Sequence, residues 1–221
     1  MKPLCWLWLA GVLLLFAGCA SPLPLAPRAE PLADAALREQ LIQHVRAWAP
    51  PAFVMRQRAI LQRDGRDVPF ELFVACDRLQ SLRLQARGDF GGKWFDLEAH
   101  AGRTRVLSND TPFPDAMLLG GLLADQQLLW RLPDFASASV WREPDDSLAL
   151  RCPHGENTWE YRFNRDQLTE LRSLRDGRIV RAIAITSQDG SPATLTVTNH
   201  AMRYTAHLDV IRVTAKPGGL R

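Results

Sequence analysis

The chain lacks most of what chemistry would need. Among its 221 residues it has four cysteines and two tyrosines. It contains no Gly-x-Ser-x-Gly, no His-Glu-x-x-His and no P-loop, which removes the common hydrolase, zinc-protease and nucleotide signatures. The five histidines are scattered at His44, His100, His154, His200 and His207. His200 and His207 are seven residues apart, so on one regular strand they point to opposite faces. Cys152 and His154 offer a metal two ligands, with no third nearby. Asp145-Asp146 follows Pro144 and reads as a solvated turn. No catalytic residue, no metal site and no cofactor is therefore expected. An excess of charge of one sign is missing too. Arginine plus lysine total 27 against 24 acidic residues, a net +3. That is too balanced for a nucleic-acid surface.

The N-terminus is more informative. Lys2 precedes an apolar run from Trp6 to Phe16, and Ala17-Gly18 supplies small residues. This is the order of a signal peptide. At 1.5 Å per residue the run is too short for a hydrocarbon core of about 30 Å. Leu15-Phe16-Ala17-Gly18-Cys19 resembles the lipobox of bacterial lipoproteins, with Phe16 where an aliphatic residue is usual. The resemblance implies removal of residues 1–18 and acylation of Cys19, with Ala20 favouring the outer membrane and a periplasm-facing protein. Residues 20–32 are rich in proline and read as an extended tether of about 40 Å at most. Residues 33–221 then form one domain, long enough for a single core.

That domain opens with a helix. Asp34 can cap it, Leu37, Leu41, Ile42, Val45 and Trp48 recur at helical spacing, and Pro50-Pro51 stop it. Most of the remainder alternates with period two. Val68, Phe70, Leu72, Val74 and Cys76 share one face of a strand. Leu82, Leu84 and Ala86 share another, as do Phe95, Leu97 and Ala99. Asp64-Gly65, Asp176-Gly177 and Asp189-Gly190 are hairpin turns. Nine to eleven antiparallel strands in meander order are expected. Residues 113–132 break the alternation with one or two apolar helices, interrupted at Gly120-Gly121 and ended by Pro133. They are too apolar for exposure and must cover the concave face of a curved sheet. The fold class is mainly β, an incomplete barrel with helices over its hollow. Phe70, Leu72, Leu84 and Leu97 would line that hollow. Met117, Leu118, Leu122, Leu129 and Trp130 would roof it. Tryptophans 94, 130, 141 and 159 are either plain core or part of a lipid-sized cavity wall. Cys76 and Cys152 either form a disulfide, which an oxidising compartment permits, or remain two buried thiols.

Together these features resemble the LolA/LolB superfamily, the periplasmic carrier and outer-membrane receptor of lipoproteins. Leu122-Leu-Ala-Asp-Gln-Gln-Leu-Leu-Trp130, Leu132-Pro133 and Asn199-His-Ala-Met-Arg-Tyr204 are similar to LolB-like lipoproteins found beside aryl polyene synthesis genes. The resemblance implies a monomer that binds lipid, acyl chains or lipoproteins and receives them from a LolA-like carrier. It also implies a membrane-contact loop at Asp89-Phe90-Gly91, unless Phe90 folds back onto the sheet. The alternative is an envelope scaffold with a filled core that binds a protein partner. An enzyme on glycolipids would need convergent carboxylates in a cleft, which the sequence does not announce.

Overall fold

The computed structural model describes Leu25 and residues 29–88, 91–188 and 191–216. Thirteen strands form one antiparallel sheet. They are β1 (Glu30–Leu32), β2 (Ala52–Arg63), β3 (Arg66–Asp77), β4 (Ser81–Arg87), β5 (Lys93–His100), β6 (Arg103–Asn109), β7 (Ser139–Arg142), β8 (Leu148–His154), β9 (Asn157–Asn164), β10 (Gln167–Arg175), β11 (Arg178–Gln188), β12 (Ser191–Asn199) and β13 (Tyr204–Ala215). Helix α1 (Ala35–Ala47) precedes β2. Between β6 and β7 runs a helical segment of three parts: α2 (Asp115–Met117), a π-helical stretch (Leu118–Leu123) and α3 (Ala124–Trp130).

Spatial order is β1-β7-β8-β9-β10-β11-β12-β13-β2-β3-β4-β5-β6. Strands consecutive in sequence pair in space except β1 with β2 and β6 with β7; instead β1 pairs with β7 and β13 with β2. The count exceeds the expected nine to eleven partly because β1 lies inside the proline-rich segment. Pro31 is tolerated there because β1 is an edge strand. The expected tether is thus partly docked. Besides β1, Leu25 bridges to Arg178 at the start of β11.

Two of the predicted turns form for a local reason, and Asp189-Gly190 lies outside the described residues. Asp64-Gly65 (φ 51° and 73°) and Asp176-Gly177 (φ 51° and 71°) both take positive φ, as type I′ hairpins require. Asp34 caps α1, accepting the Leu37 amide at 2.9 Å. Alternate residues of each strand face one continuous apolar core, and α1 adds Leu41, Ile42 and Val45 to it.

One expectation changes, and one open alternative is decided. The covering segment is not cut at Gly120-Gly121; the helix widens there into the π-helical stretch. Cys76 and Cys152 are free thiols rather than a bridge. They sit on β3 and β8, far apart in strand order, and burial pushes each thiol up to about 12. The Cys76 thiol instead donates to the Trp130 carbonyl at 3.8 Å.

Candidate functional site

The concave wall comes first. Phe70, Leu72, Leu84 and Leu97 are buried on it, as the alternation requires. Met117, Leu118, Leu122, Leu129 and Trp130 project from the helical segment into the same core. The predicted wall and roof therefore meet. Helix side chains lie directly on strand side chains, so in this form the helix itself closes the hollow. Gln57 Oε1 and Tyr161 Oη are among seven buried side-chain polar atoms that find no partner among the described residues.

The most buried polar contacts fasten the roof at two places. The first surrounds Asp125 on α3, which is 2% exposed. Its carboxylate accepts Arg181 Nε at 2.9 Å and Asn199 Nδ2 at 3.0 Å, and the Tyr204 hydroxyl donates to it as well. The Arg181 guanidinium also donates to the Gly120 carbonyl. Burial raises the Asp125 carboxyl to about 6, against the opposing pull of Arg181 and the hydrogen bonds. Gly121 lets the helix approach this cluster, since a Cβ there would lie 3.1 Å from the Tyr204 ring.

The second fastening is Arg78, just beyond β3 and 2% exposed. It donates to four backbone carbonyls: Trp130 at 3.1 Å, Arg46 at 2.8 Å, Ala49 at 3.0 Å and Val45 at 2.9 Å. One guanidinium thus ties the C-terminal ends of α1 and α3 together and satisfies carbonyls that helix ends leave open. The Trp130 ring stacks on Trp48 at 5.0 Å and meets Phe53 edge-on at 5.4 Å. Its Nε1 donates to Gln126 at 2.6 Å.

A cleft of about 730 Å³ opens where the helical segment begins. Its apolar wall is Val68, Trp94, Pro112 and Phe113, and its rim carries Arg63, Asp64, Arg66 and Asp110. The approach to the helix is braced by Asn109. Its amide donates to the Phe113 carbonyl and to Asp115, both at 2.8 Å, while its oxygen accepts from Thr111. Gly88 is required nearby, because a Cβ there would run into the Trp94 ring.

Strand register places the turns 64–65, 88–92, 110–113 and 200–203 and the start of β11 at one end of the barrel. The Leu25 bridge lies at this end too. Gly91 takes φ 78° in the predicted contact loop, closed by a Gly91-to-Gly88 hydrogen bond of 2.9 Å. Cys19, Asp89 and Phe90 lie outside the described residues.

Sequence reasoning missed Arg78 and the Asp125 cluster. The available signal was a charge in an apolar setting: Asp125 interrupts Leu122 to Trp130, and Arg78 closes a strand with an alternating apolar face. Among the described residues no group of three or more histidine, cysteine or carboxylate side chains could hold a metal.

No known protein-family profile matches the sequence. No curated protein matches it either. Solved structures do. A LolA superfamily protein from Nitrosomonas europaea superposes with a TM-score of 0.60 at 10% identity, over 81% of this chain and 94% of that one. A DUF1329 family protein from Desulfovibrio piger gives 0.54 at 11% identity, over 86% and 95%. The fold is that of the LolA superfamily.

Proposed function

We propose that this protein is a lipid-anchored envelope protein that takes up acyl chains, or ligands bearing them, beneath its covering helix and passes them on. One observation carries the reading. An apolar helix lies on a concave apolar sheet and is fastened by a few side chains, with a glycine pair and a π-helical stretch in between. Such a roof can lift as a unit. Lifting it exposes apolar surface at about 25 cal/mol per Å², and a hydrocarbon chain in the vacated space offsets that loss. A polar group near the head of such a chain could also satisfy Gln57 or Tyr161.

In this reading Cys19 bears the anchor, in the outer membrane on its periplasmic side. The Asp89-Phe90-Gly91 loop touches the membrane, and a LolA-like carrier delivers the cargo. The docked segment supports a close attachment. Five residues lie between Cys19 and Leu25, and the six steps span roughly 20 Å when extended. The barrel end with the cleft is therefore held near the membrane.

The test is direct. The protein is purified from membranes, extracted, and the extract analysed by mass spectrometry, with fluorescent acyl probes titrated in parallel. A copurifying lipid and saturable uptake are expected; neither appearing ends the reading. Cys19→Ser should move the protein to the soluble fraction. Phe90→Glu should cut delivery to vesicles and spare probe uptake. The scaffold reading draws on the closed packing of Leu118, Leu123 and Trp130, each fully buried. It predicts no uptake at any pH.

A further inference from the structure

The cleft beside the helix start has a charge pattern that the uptake reading leaves unused. Arg63 sits at its rim with an underemployed guanidinium. It donates to the Met117 sulfur at 2.7 Å and lies 3.4 Å from the exposed Asp64. A thioether is a weak acceptor, so a better one would displace it. Arg66 makes no side-chain hydrogen bond or ion pair among the described residues, and the same holds for the Asp110 carboxylate. Two arginines with donors to spare and one unpaired aspartate thus surround an apolar wall of Val68, Trp94 and Phe113. The volume, about 730 Å³, lies within the range of small-molecule sites.

We propose that this cleft binds the headgroup of a zwitterionic phospholipid. Arg63 and Arg66 hold the phosphate, Asp110 holds the ammonium, and the first part of the acyl chain lies against Trp94 and Phe113. The proposal rests on the uptake reading and names its ligand class. Charge complementarity favours this occupant. An anionic headgroup would set its phosphate beside an uncompensated Asp110, and an uncharged one would leave both arginines unused. Guanidinium–phosphate hydrogen bonds are charge-assisted and among the stronger polar contacts. The position links binding to opening, because taking Arg63 from Met117 removes a contact that ties the β2–β3 turn to the first turn of the roof.

The experiment uses the full-length chain carrying Cys19→Ser, so that no attached lipid competes. Lauroyl lyso-phosphatidylethanolamine, lauroyl lyso-phosphatidylglycerol and uncharged lauroyl glycerol are titrated against a bound fluorescent acyl probe, with tryptophan fluorescence as a second readout. The zwitterionic lipid should bind about tenfold tighter than lauroyl glycerol, the equivalent of one charge-assisted contact. Arg66→Gln should weaken both phospholipids and leave lauroyl glycerol unchanged. Asp110→Asn should weaken the ethanolamine lipid and strengthen the glycerol phospholipid. That opposite response is one a merely structural defect would not give. Equal affinities for the three lipids, or no change in either variant, overturn the headgroup site while uptake stands. If the acyl probe itself is not taken up, the uptake reading fails and the headgroup site with it.

Discussion

The two ends of the covering helix are held in opposite ways. At its C-terminal end Arg78 grips the Trp130 carbonyl together with three carbonyls at the end of α1, and the Trp130 ring stacks on Trp48 and meets Phe53 edge-on. Toward the start, the contacts are Asn109 on the approach and Arg63 on a methionine sulfur, and the Asp125 cluster follows on α3, beyond the glycine pair. Backbone carbonyls cannot rotate away from a buried guanidinium without breaking helix ends. Side-chain contacts on a widened helix can release one by one. On the proposed uptake reading, the difference makes the Trp130 end the hinge and the cleft end the part that lifts.

Breaking the hinge should have the largest effect. Arg78→Met keeps much of the volume and removes every donor, leaving the carbonyls of Val45, Arg46, Ala49 and Trp130 without that partner. Buried acceptors stranded in this way cost about 1–3 kcal/mol each and do not add fully, so a loss of roughly 3–5 kcal/mol is expected. Thermal denaturation should show Tm lower by roughly 10 °C. A variant as stable as the parent would mean that Arg78 is no hinge.

The next effect is a pH dependence from the other end. Asp125 has its carboxyl at about 6 in the closed form, against an ordinary 3.8. The folded state therefore holds this proton where the unfolded chain has released it, between about pH 4 and 6. Linkage then makes the contribution of Asp125 favourable at low pH, with stability lost as pH rises through that window, by about 3 kcal/mol at most. A lifted roof exposes Asp125 to water and behaves like the unfolded chain, so opening becomes easier over the same rise. Acyl-probe uptake should increase from pH 4 to 6, and Asp125→Asn should flatten the change. An uptake that falls with rising pH would contradict the assignment.

Much of this contrast was hidden in the sequence, and the reasons are physical. Alternation in Val68–Cys76 or Leu82–Ala86 reports a face directly, because a sheet side chain points in or out. The apolar excess of 113–132 required cover, and Met117, Leu118, Leu122, Leu129 and Trp130 are buried. Arg78 and Asp125 carry no such periodic mark. Their role depends on which carbonyls and which partners arrive from distant segments, 56 residues apart for Asp125 and Arg181. Asp96 shows the same blindness. It sits on the outward side of β5, yet it is buried beneath Arg83 and Gln85, and the Arg83 hydrogen bond holds its carboxyl below the ordinary range. The free cysteines follow from strand order, which pairwise spacing does not reveal.

The glycine pair sharpens the comparison at finer scale. A Cβ at Gly121 would lie 3.1 Å from Cε1 and Oη of Tyr204. That ring is pinned by its hydroxyl on Asp125 and cannot yield. Gly121→Ala should therefore cost roughly 1–2 kcal/mol in the closed form, overpacking outweighing the gain in helix propensity. It should also raise acyl-probe uptake, because the open form carries no such clash.

Gly120→Ala should do the least, and in the other direction. Its Cβ would meet only the terminal Cε of Met202, at 2.9 Å. A methionine end swings aside at little cost. What remains is the helix propensity of alanine over glycine, up to about 1 kcal/mol. Tm should stay level or rise by a few degrees. Because the added rigidity lies where the roof must bend, probe uptake should slow even as stability holds. A Gly120→Ala protein that takes up probe at the parental rate would place the flexible point elsewhere, and would leave the glycine pair as a packing device for Tyr204 and Met202 alone.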